Sequence, residues 1–285
     1  MNDSLKNEIR QFGITTIKHL SFILGVPLAD LIEVADHAGK YYSPFPKKNR
    51  PKPFTHRKVP GKFRTIDNPI NPLKKIQKRI YERLLKPLKW PDHISGGIPG
   101  RSISTSARMH LGSPMVVTLD IKKYFPHITN LQIYDLWRGP LGCSPSVASM
   151  LTKLTTRDRR LPQGAPTSSA LANLLLWSLD EPLRAFCSER GVSYGTWLDD
   201  LIFSGANSTD VINVAVKVLQ NSGFSISHSK LRIMPSNNRQ TITGLIVNSE
   251  LGIPRSYISD VRAGIHNLSS GRVSDVEQNQ YIRSL

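Results

Sequence analysis

The chain has 285 residues, 39% of them hydrophobic, with 38 Lys and Arg against 21 Asp and Glu for a net charge of +17. That length and apolar content support a sizeable folded core and point to a globular rather than a disordered chain, and the absence of a long apolar run argues against a membrane span. The positive excess points to a polyanionic partner. The N-terminus lacks the form of a signal peptide, and the two cysteines, Cys143 and Cys187, have no CxxC or Cys/His company. Neither a disulfide framework nor a zinc site is expected, and a reducing cytoplasm fits.

Taken in order, the first forty residues read as short helices: Leu5 to Phe12, Thr15 to Leu24, and a third opened by Pro27. Tyr41 to Pro53 reads as a proline-rich extended connector, and Arg57 to Asp67 as a basic hairpin turning at Pro60-Gly61. Apolar residues at 73, 76, 80, 84, 85 and 88 predict an amphipathic helix over Asn71 to Leu88 with a cationic outer face. From Tyr41 to Arg101, sixteen Lys and Arg stand against Asp67, Glu82 and Asp92, a local excess of +13. Prolines and aromatics interleave with that charge, which favours nucleic acid over a membrane surface.

Gly96 to Gly100 reads as a loop and Ser102 to His110 as a helix. Met115 to Leu119 is an apolar strand leading into Asp120. Leu131 to Trp137 and Ser146 to Thr155 look helical, and Gly164 to Arg184 begins with a Gly/Pro turn and then reads as one long apolar helix. Ser193 to Trp197 and Leu201 to Ser204 are strands around Leu198-Asp199-Asp200. A helix over Asp210 to Asn221 follows, then a strand from Gly223 to Ile226 and a strand pair over Thr241 to Asn248 and Leu251 to Pro254. The last thirty residues read as helical. Without strict βαβ alternation, the class is α+β, a sheet with helices on one side.

Two adjacent carboxylates at a hairpin tip are costly unless a cation neutralises them. Asp199-Asp200 is therefore either a metal site or a solvated acidic turn. Asp120, at the end of a separate apolar strand, favours the metal. Strand-end carboxylates from two segments can bridge two ions about 4 Å apart and carry phosphoryl transfer by positioning and charge neutralisation. Hard oxygen ligands suit Mg²⁺, with Mn²⁺ as a substitute. The histidines at 19, 37, 56, 93, 127, 228 and 266 have no ligand spacing.

The segments VTLDIKKYFPHI (117–128), LPQGAPTSSALANLLL (161–176), WLDDLIFSG (197–205) and GFSISHSKL (223–231) resemble motifs A to D of reverse transcriptases, in order. RKVPGKFRTID (57–67) resembles their fingers motif. Ser106 to His110, Ile242-Thr243-Gly244-Leu245, Gly100 to Ile103 and residues 253–255 resemble signatures of the retron reverse transcriptases. The chain departs from them at Ser106 for Asn, Ile242 for Val, Trp197 for the motif C tyrosine and Leu231 for Thr.

The resemblance implies a right-hand polymerase. Its parts would be an N-terminal helical segment (1–50), fingers (51–114), palm (115–240, with a fingers insertion around 130–165) and a palm edge with a short or partial thumb (241–285). It implies Asp120, Asp199 and Asp200 as ligands of two metal ions, assisted by the carbonyl of Ile121. Phe125 would be a steric gate selecting dNTPs. Lys62 and Arg64 would grip the triphosphate, Gln163 would line the nucleotide pocket, and Lys230 would protonate pyrophosphate. It further implies a structured non-coding RNA as template, priming from an RNA 2′-hydroxyl, a branched RNA–DNA product and anti-phage defence with an effector protein encoded nearby. Open alternatives are a defence or group II-like reverse transcriptase without branched priming, an idle RNA-binding scaffold, and an RNA-dependent RNA polymerase, which Phe125 disfavours.

Overall fold

A computed structural model describes residues 8–9, 11–48 and 63–269. Two helices open it, α1 (Ile17–Leu24) and α2 (Leu28–Asp36). Thr16 caps α1 by accepting from the His19 N–H, and Gly25 ends it with φ +61. Pro27 precedes α2, as its fixed φ suits a helix start. β1 (Tyr42–Lys48) then pairs antiparallel with β2 (Phe63–Pro69).

This corrects the extended connector read over 41–53: its first half is a strand. Pro44 and Pro46 lack ladder donors and so mask strand character, but a two-stranded ribbon consists of edges, where proline is tolerated. The strand that pairs with β2 is β1, and residues 57–59, like the expected Pro60-Gly61 turn, lie outside the described residues.

Next come α3 (Leu73–Ile80), prolonged by a π-helical turn over Tyr81–Leu85, and α4 (Ile103–Arg108). Arg79 and Arg83 fasten α3 and this turn to α1 by donating to backbone carbonyls, Arg79 to Gly25 and Arg83 to Ile23. β3 (Met115–Asp120) leads into a short helix, α5 (Tyr124–His127), followed by α6 (Asn130–Arg138) and α7 (Pro145–Thr155).

The single long helix expected over 164–184 is two. α8 (Ser168–Leu179) ends at Asp180, and α9 (Glu181–Glu189) restarts with Pro182 in its first turn. β4 (Ser193–Trp197), β5 (Asp200–Ser204), α10 (Val211–Asn221) and β6 (Arg232–Pro235) follow. The strand expected at 223–226 is not one. Those residues make only an isolated bridge, Ile226 to Ile121, and β6 takes the open edge of β3 instead. β7 (Thr241–Ile242) and β8 (Leu245–Ile246) form a tight hairpin, and α11 (Arg255–Ser269) completes the described chain. The wider pair expected over 241–254 shrinks to this hairpin and one bridge from Ile246 to Gly252.

The central sheet is antiparallel in the order β4-β5-β3-β6. Strand alternation divides its side chains between two layers. Val117, Leu119, Leu201 and Phe203 join the main core with Leu171, Leu174 and Leu175 of α8. Val116 and Ile202 face a smaller cluster with Ala107, Met234, Ile242, Leu245 and Val247. The α+β expectation thus holds, with a second, thinner layer under the sheet. Among the described residues, no helix is long and apolar enough to cross a membrane.

Candidate active site

The apolar pattern that buries β3 and β5 also sets their register. Val116 to Leu119 pair with Ser204 to Leu201, which brings Asp120 opposite Asp200 at the strand ends. Beyond the ladder, the Ile121 N–H donates to the Asp199 carbonyl at 2.8 Å. On the other side, the Ser227 N–H donates to the Asp120 carbonyl and the Lys122 N–H to the Ser225 carbonyl, each at 2.8 Å. The end of β3 is held between two segments, and three carboxylate residues share one edge. Asp120 is buried, whereas Asp199 and Asp200 are half-buried.

Like charges directly opposite on paired strands are destabilising unless neutralised. One cation is already there: Lys230 Nζ lies 2.6 Å from Asp120 Oδ2, its side chain half exposed. The all-oxygen donor set fits a hard divalent cation. Among the described residues, no three Asp, Glu, His or Cys side chains already close into a metal cage. The site is a row of carboxylates that ligands and substrate would complete.

The remaining expected residues are placed as follows. Ile121 is buried, and its backbone ties β3 to the Asp199 turn. Phe125 is half-buried on α5, edge-on to Tyr124 with ring centroids 6.1 Å apart. Tyr124 is fully buried and donates to the Ala172 carbonyl of α8 at 2.8 Å. Burial, with the Asp199 charge adding to it, pushes its hydroxyl well above the usual tyrosine range. Gln163 is half-buried, and its carbonyl accepts from the Asp67 N–H of β2 at 2.8 Å. Asp67 also receives the Arg157 guanidinium at 2.7 Å. Arg64 sits on the same strand, paired with Lys47. Lys62 lies outside the described residues.

Other residues were not legible as site members. A cavity of about 550 Å³ opens beside Asp200, lined by Trp197, Lys230, Arg232, Arg239 and Thr243. The two arginines give it a cationic wall. Their only signal in the sequence is basic residues following Lys230. The segments around His110 and Thr243, far apart in the chain, pack together under the sheet. Thr243 and Gly244 both take positive φ, +48 and +95, as a two-residue primed hairpin turn requires. Thr243 Oγ1 donates to the Ile103 carbonyl at 3.4 Å. His110 is 1% exposed, with Nδ1 2.7 Å from Ser204 Oγ, and burial pushes its pKa down to about 4.

Behind β4, Asp180 is fully buried and collects three donors: His93 Nε2 at 2.9 Å, Arg184 Nε at 2.9 Å and the Tyr194 hydroxyl at 3.3 Å. The sequence signal was an acid inside an apolar run, there absorbed into one continuous helix.

Comparison with known proteins bears on this geometry. Residues 45–247 match the family model described as reverse transcriptase (RNA-dependent DNA polymerase). The retron Mx65 reverse transcriptase of Myxococcus xanthus is 32% identical over 85% of this chain and 61% of its own length. The retron Ec86 reverse transcriptase of Escherichia coli is 30% identical over 78% of this chain and 70% of its own. The retron Mx162 reverse transcriptase of Myxococcus xanthus is 31% identical over 77% and 53%. The chain thus spans between about half and 70% of these relatives' lengths. The matched region contains all three carboxylates, Phe125, Gln163 and Lys230, and the chain belongs to the reverse transcriptase family, among the retron reverse transcriptases.

Proposed function

We propose that this protein is an RNA-directed DNA polymerase that copies a structured non-coding RNA into DNA. The observation that carries the reading is the register of β3 and β5, which sets Asp120 against Asp200 with Asp199 in the connecting turn. Family membership and the surplus of 38 basic over 21 acidic residues support it.

In this reading Asp120, Asp199 and Asp200 would hold two divalent ions, Mg²⁺ or alternatively Mn²⁺, and the chemistry such ions would supply is activation of a 3′-hydroxyl and charge neutralisation at pyrophosphate. The chain's own groups do the rest. Lys230, beside Asp120, donates a proton to the leaving pyrophosphate. Arg64 and Lys62 grip the triphosphate, Gln163 lines the nucleotide pocket, and the ring of Phe125 excludes a ribose 2′-hydroxyl. The fingers, palm and partial thumb divide the chain near residues 50, 114 and 240. Synthesis starts from a 2′-hydroxyl of the template RNA, leaves a branched RNA–DNA product, and serves anti-phage defence with a separate effector protein.

The test is to purify the protein with its bound nucleic acid and sequence it, alongside Asp200→Asn. The expected wild-type result is RNA joined to DNA through a branch, with divalent-dependent dNTP incorporation. Asp200→Asn should retain RNA and lose DNA synthesis by about 10³-fold or more, as removal of a charge-stabilising group does. Unbranched DNA would overturn the priming step alone. DNA synthesis by the variant would overturn the site.

A further inference from the structure

The turn that presents Asp199 and Asp200 passes through Leu198 at φ +56. That left-handed conformation is unfavourable for a residue other than Gly, Asn or Asp. It persists only where the surroundings over-determine it. The two-residue loop between Trp197 and Asp200 calls for a positive φ at Leu198, but its sequence, Trp-Leu-Asp-Asp, puts there a residue that does not take it readily, so outside support is needed.

The neighbouring loop supplies it. At Gly96 an added Cβ would lie 2.6 Å from the Leu198 nitrogen and 2.9 Å from Leu198 Cγ. Bare backbone is therefore in close contact with Leu198, and a side chain has no room there. Gly97, at φ +73, continues the same face towards Leu198 Cδ2 and Ser169. The loop is fixed at both ends by α8. Asn173 Nδ2 donates to the Gly96 carbonyl at 2.7 Å. At the other end, Asp180 holds the His93 ring. The His93 carbonyl accepts from the Thr196 N–H at 2.6 Å, and the Ser95 N–H donates to the Thr196 carbonyl at 3.0 Å. Residues 93–97 thus run beside β4 and end against the turn.

Asn173 is 1% exposed, surrounded on α8 by Leu171, Leu174, Leu175 and Leu176. An amide there is costly unless its hydrogen bond is needed. Its Oδ1 has no partner among the described residues, so the bond to Gly96 is the one the side chain makes.

We infer that Asn173 is a positioning residue for nucleotide addition: it presses the Gly96-Gly97 backbone against Leu198 and so fixes the turn that aims Asp199 and Asp200. The inference rests on the polymerase reading above for its kinetic consequence, while the lock itself is a property of the free protein. α8 begins five residues after Gln163, so one rigid helix links the nucleotide-pocket segment to the catalytic turn.

The test pairs two measurements. In single-nucleotide extension of an annealed primer–template, Asn173→Ala should lower kcat about 10- to 100-fold, the effect of misplacing a reacting group by about 1 Å. The dNTP KM should move less than about threefold, because the pocket is elsewhere. Adding Leu198→Gly, which takes the left-handed conformation without help, should restore most of the lost kcat. Hydrogen exchange in the free proteins reads the lock without catalysis. Asn173→Ala should speed exchange at 93–97 and 196–200 and leave 211–221 unchanged. Unaltered exchange at those two segments, unaltered kcat, or a loss of kcat that Leu198→Gly does not recover would each overturn the role of Asn173. A wild-type protein that incorporates no dNTP would instead overturn the polymerase reading, leaving exchange to decide on the lock.

Discussion

Lys230 and Asp120 form an ion pair across the active edge of the sheet, Nζ to Oδ2 at 2.6 Å, on the carboxylate that stands opposite Asp200. The lysine lies on a one-turn 3₁₀ segment, His228–Lys230, just before β6, the strand that closes the edge of β3. On the function proposed above it would serve two states: partner of Asp120 before metal binding, and acid for pyrophosphate afterwards.

Lys230→Met removes both roles and separates them. Mn²⁺ should bind the free protein more tightly, because the competing ammonium is gone. Nucleotide addition at saturating metal should slow about 100-fold, the scale of a lost general acid. Paramagnetic titration and rapid-quench kinetics measure the two. Weaker metal binding in the variant would contradict the competition.

Phe125 tests sugar selection. Its ring is half-buried and braced edge-on by Tyr124, whose hydroxyl is anchored to α8. Phe125→Ala should narrow the preference for dNTP over NTP by about 10- to 100-fold, the range within which a pocket rejects an added hydroxyl sterically. The ratio of kcat/KM values for dGTP and GTP checks this. An unchanged ratio would place the gate on another residue.

His110 predicts a pH dependence of stability. Burial lowers its pKa from 6.5 to about 4, so the unfolded chain takes up the proton first. The contribution is complete above about pH 6.5 and is lost as the pH falls towards 4. At full extent it is on the order of 3 kcal/mol. Urea unfolding between pH 7.5 and 5 should show a steeper loss in the wild type than in His110→Gln. Parallel curves would mean that the folded protein accepts the proton without penalty.

Asp180 predicts a stability effect in the buried network behind β4. Its carboxylate is fully buried and accepts from His93, Arg184 and Tyr194. Asp180→Ala leaves those donors unpaired and should cost about 3–5 kcal/mol. Tyr194→Phe removes one neutral donor and should cost about 1 kcal/mol. Chemical denaturation compares them. A smaller loss for Asp180→Ala than for Tyr194→Phe would remove the carboxylate from the centre of this network.

Much of the site was legible because its strands are short, apolar and bounded. Val116, Val117 and Leu119 mark β3, and Leu201 to Phe203 mark β5, so the positions of Asp120, Asp199 and Asp200 at strand ends follow from local pattern. Pro27 marked the start of α2 for the same kind of reason. β1 was hidden by Pro44 and Pro46, since a strand whose partner lies fifteen or more residues away leaves no local trace beyond extended backbone. The break between α8 and α9 was hidden by uniform apolarity, where periodicity carries no information on where a helix stops. Segment 223–226 was read as a strand, yet it is 232–235 that docks on β3.

What the sequence by itself determined is the chemistry available: three carboxylates on apolar strands, a phenylalanine five residues after the first, a lysine later, and a basic surface. Only the tertiary structure decided which of them meet. The Asp120–Asp200 register, the Lys230 contact, the burial of Asp180 and the Asn173–Gly96 bond all join residues remote in the chain. Periodicity reports which face of an element is apolar. The register between strands and the partner of a buried polar group are set by non-local packing, where each unpaired group costs more than the local pattern can express.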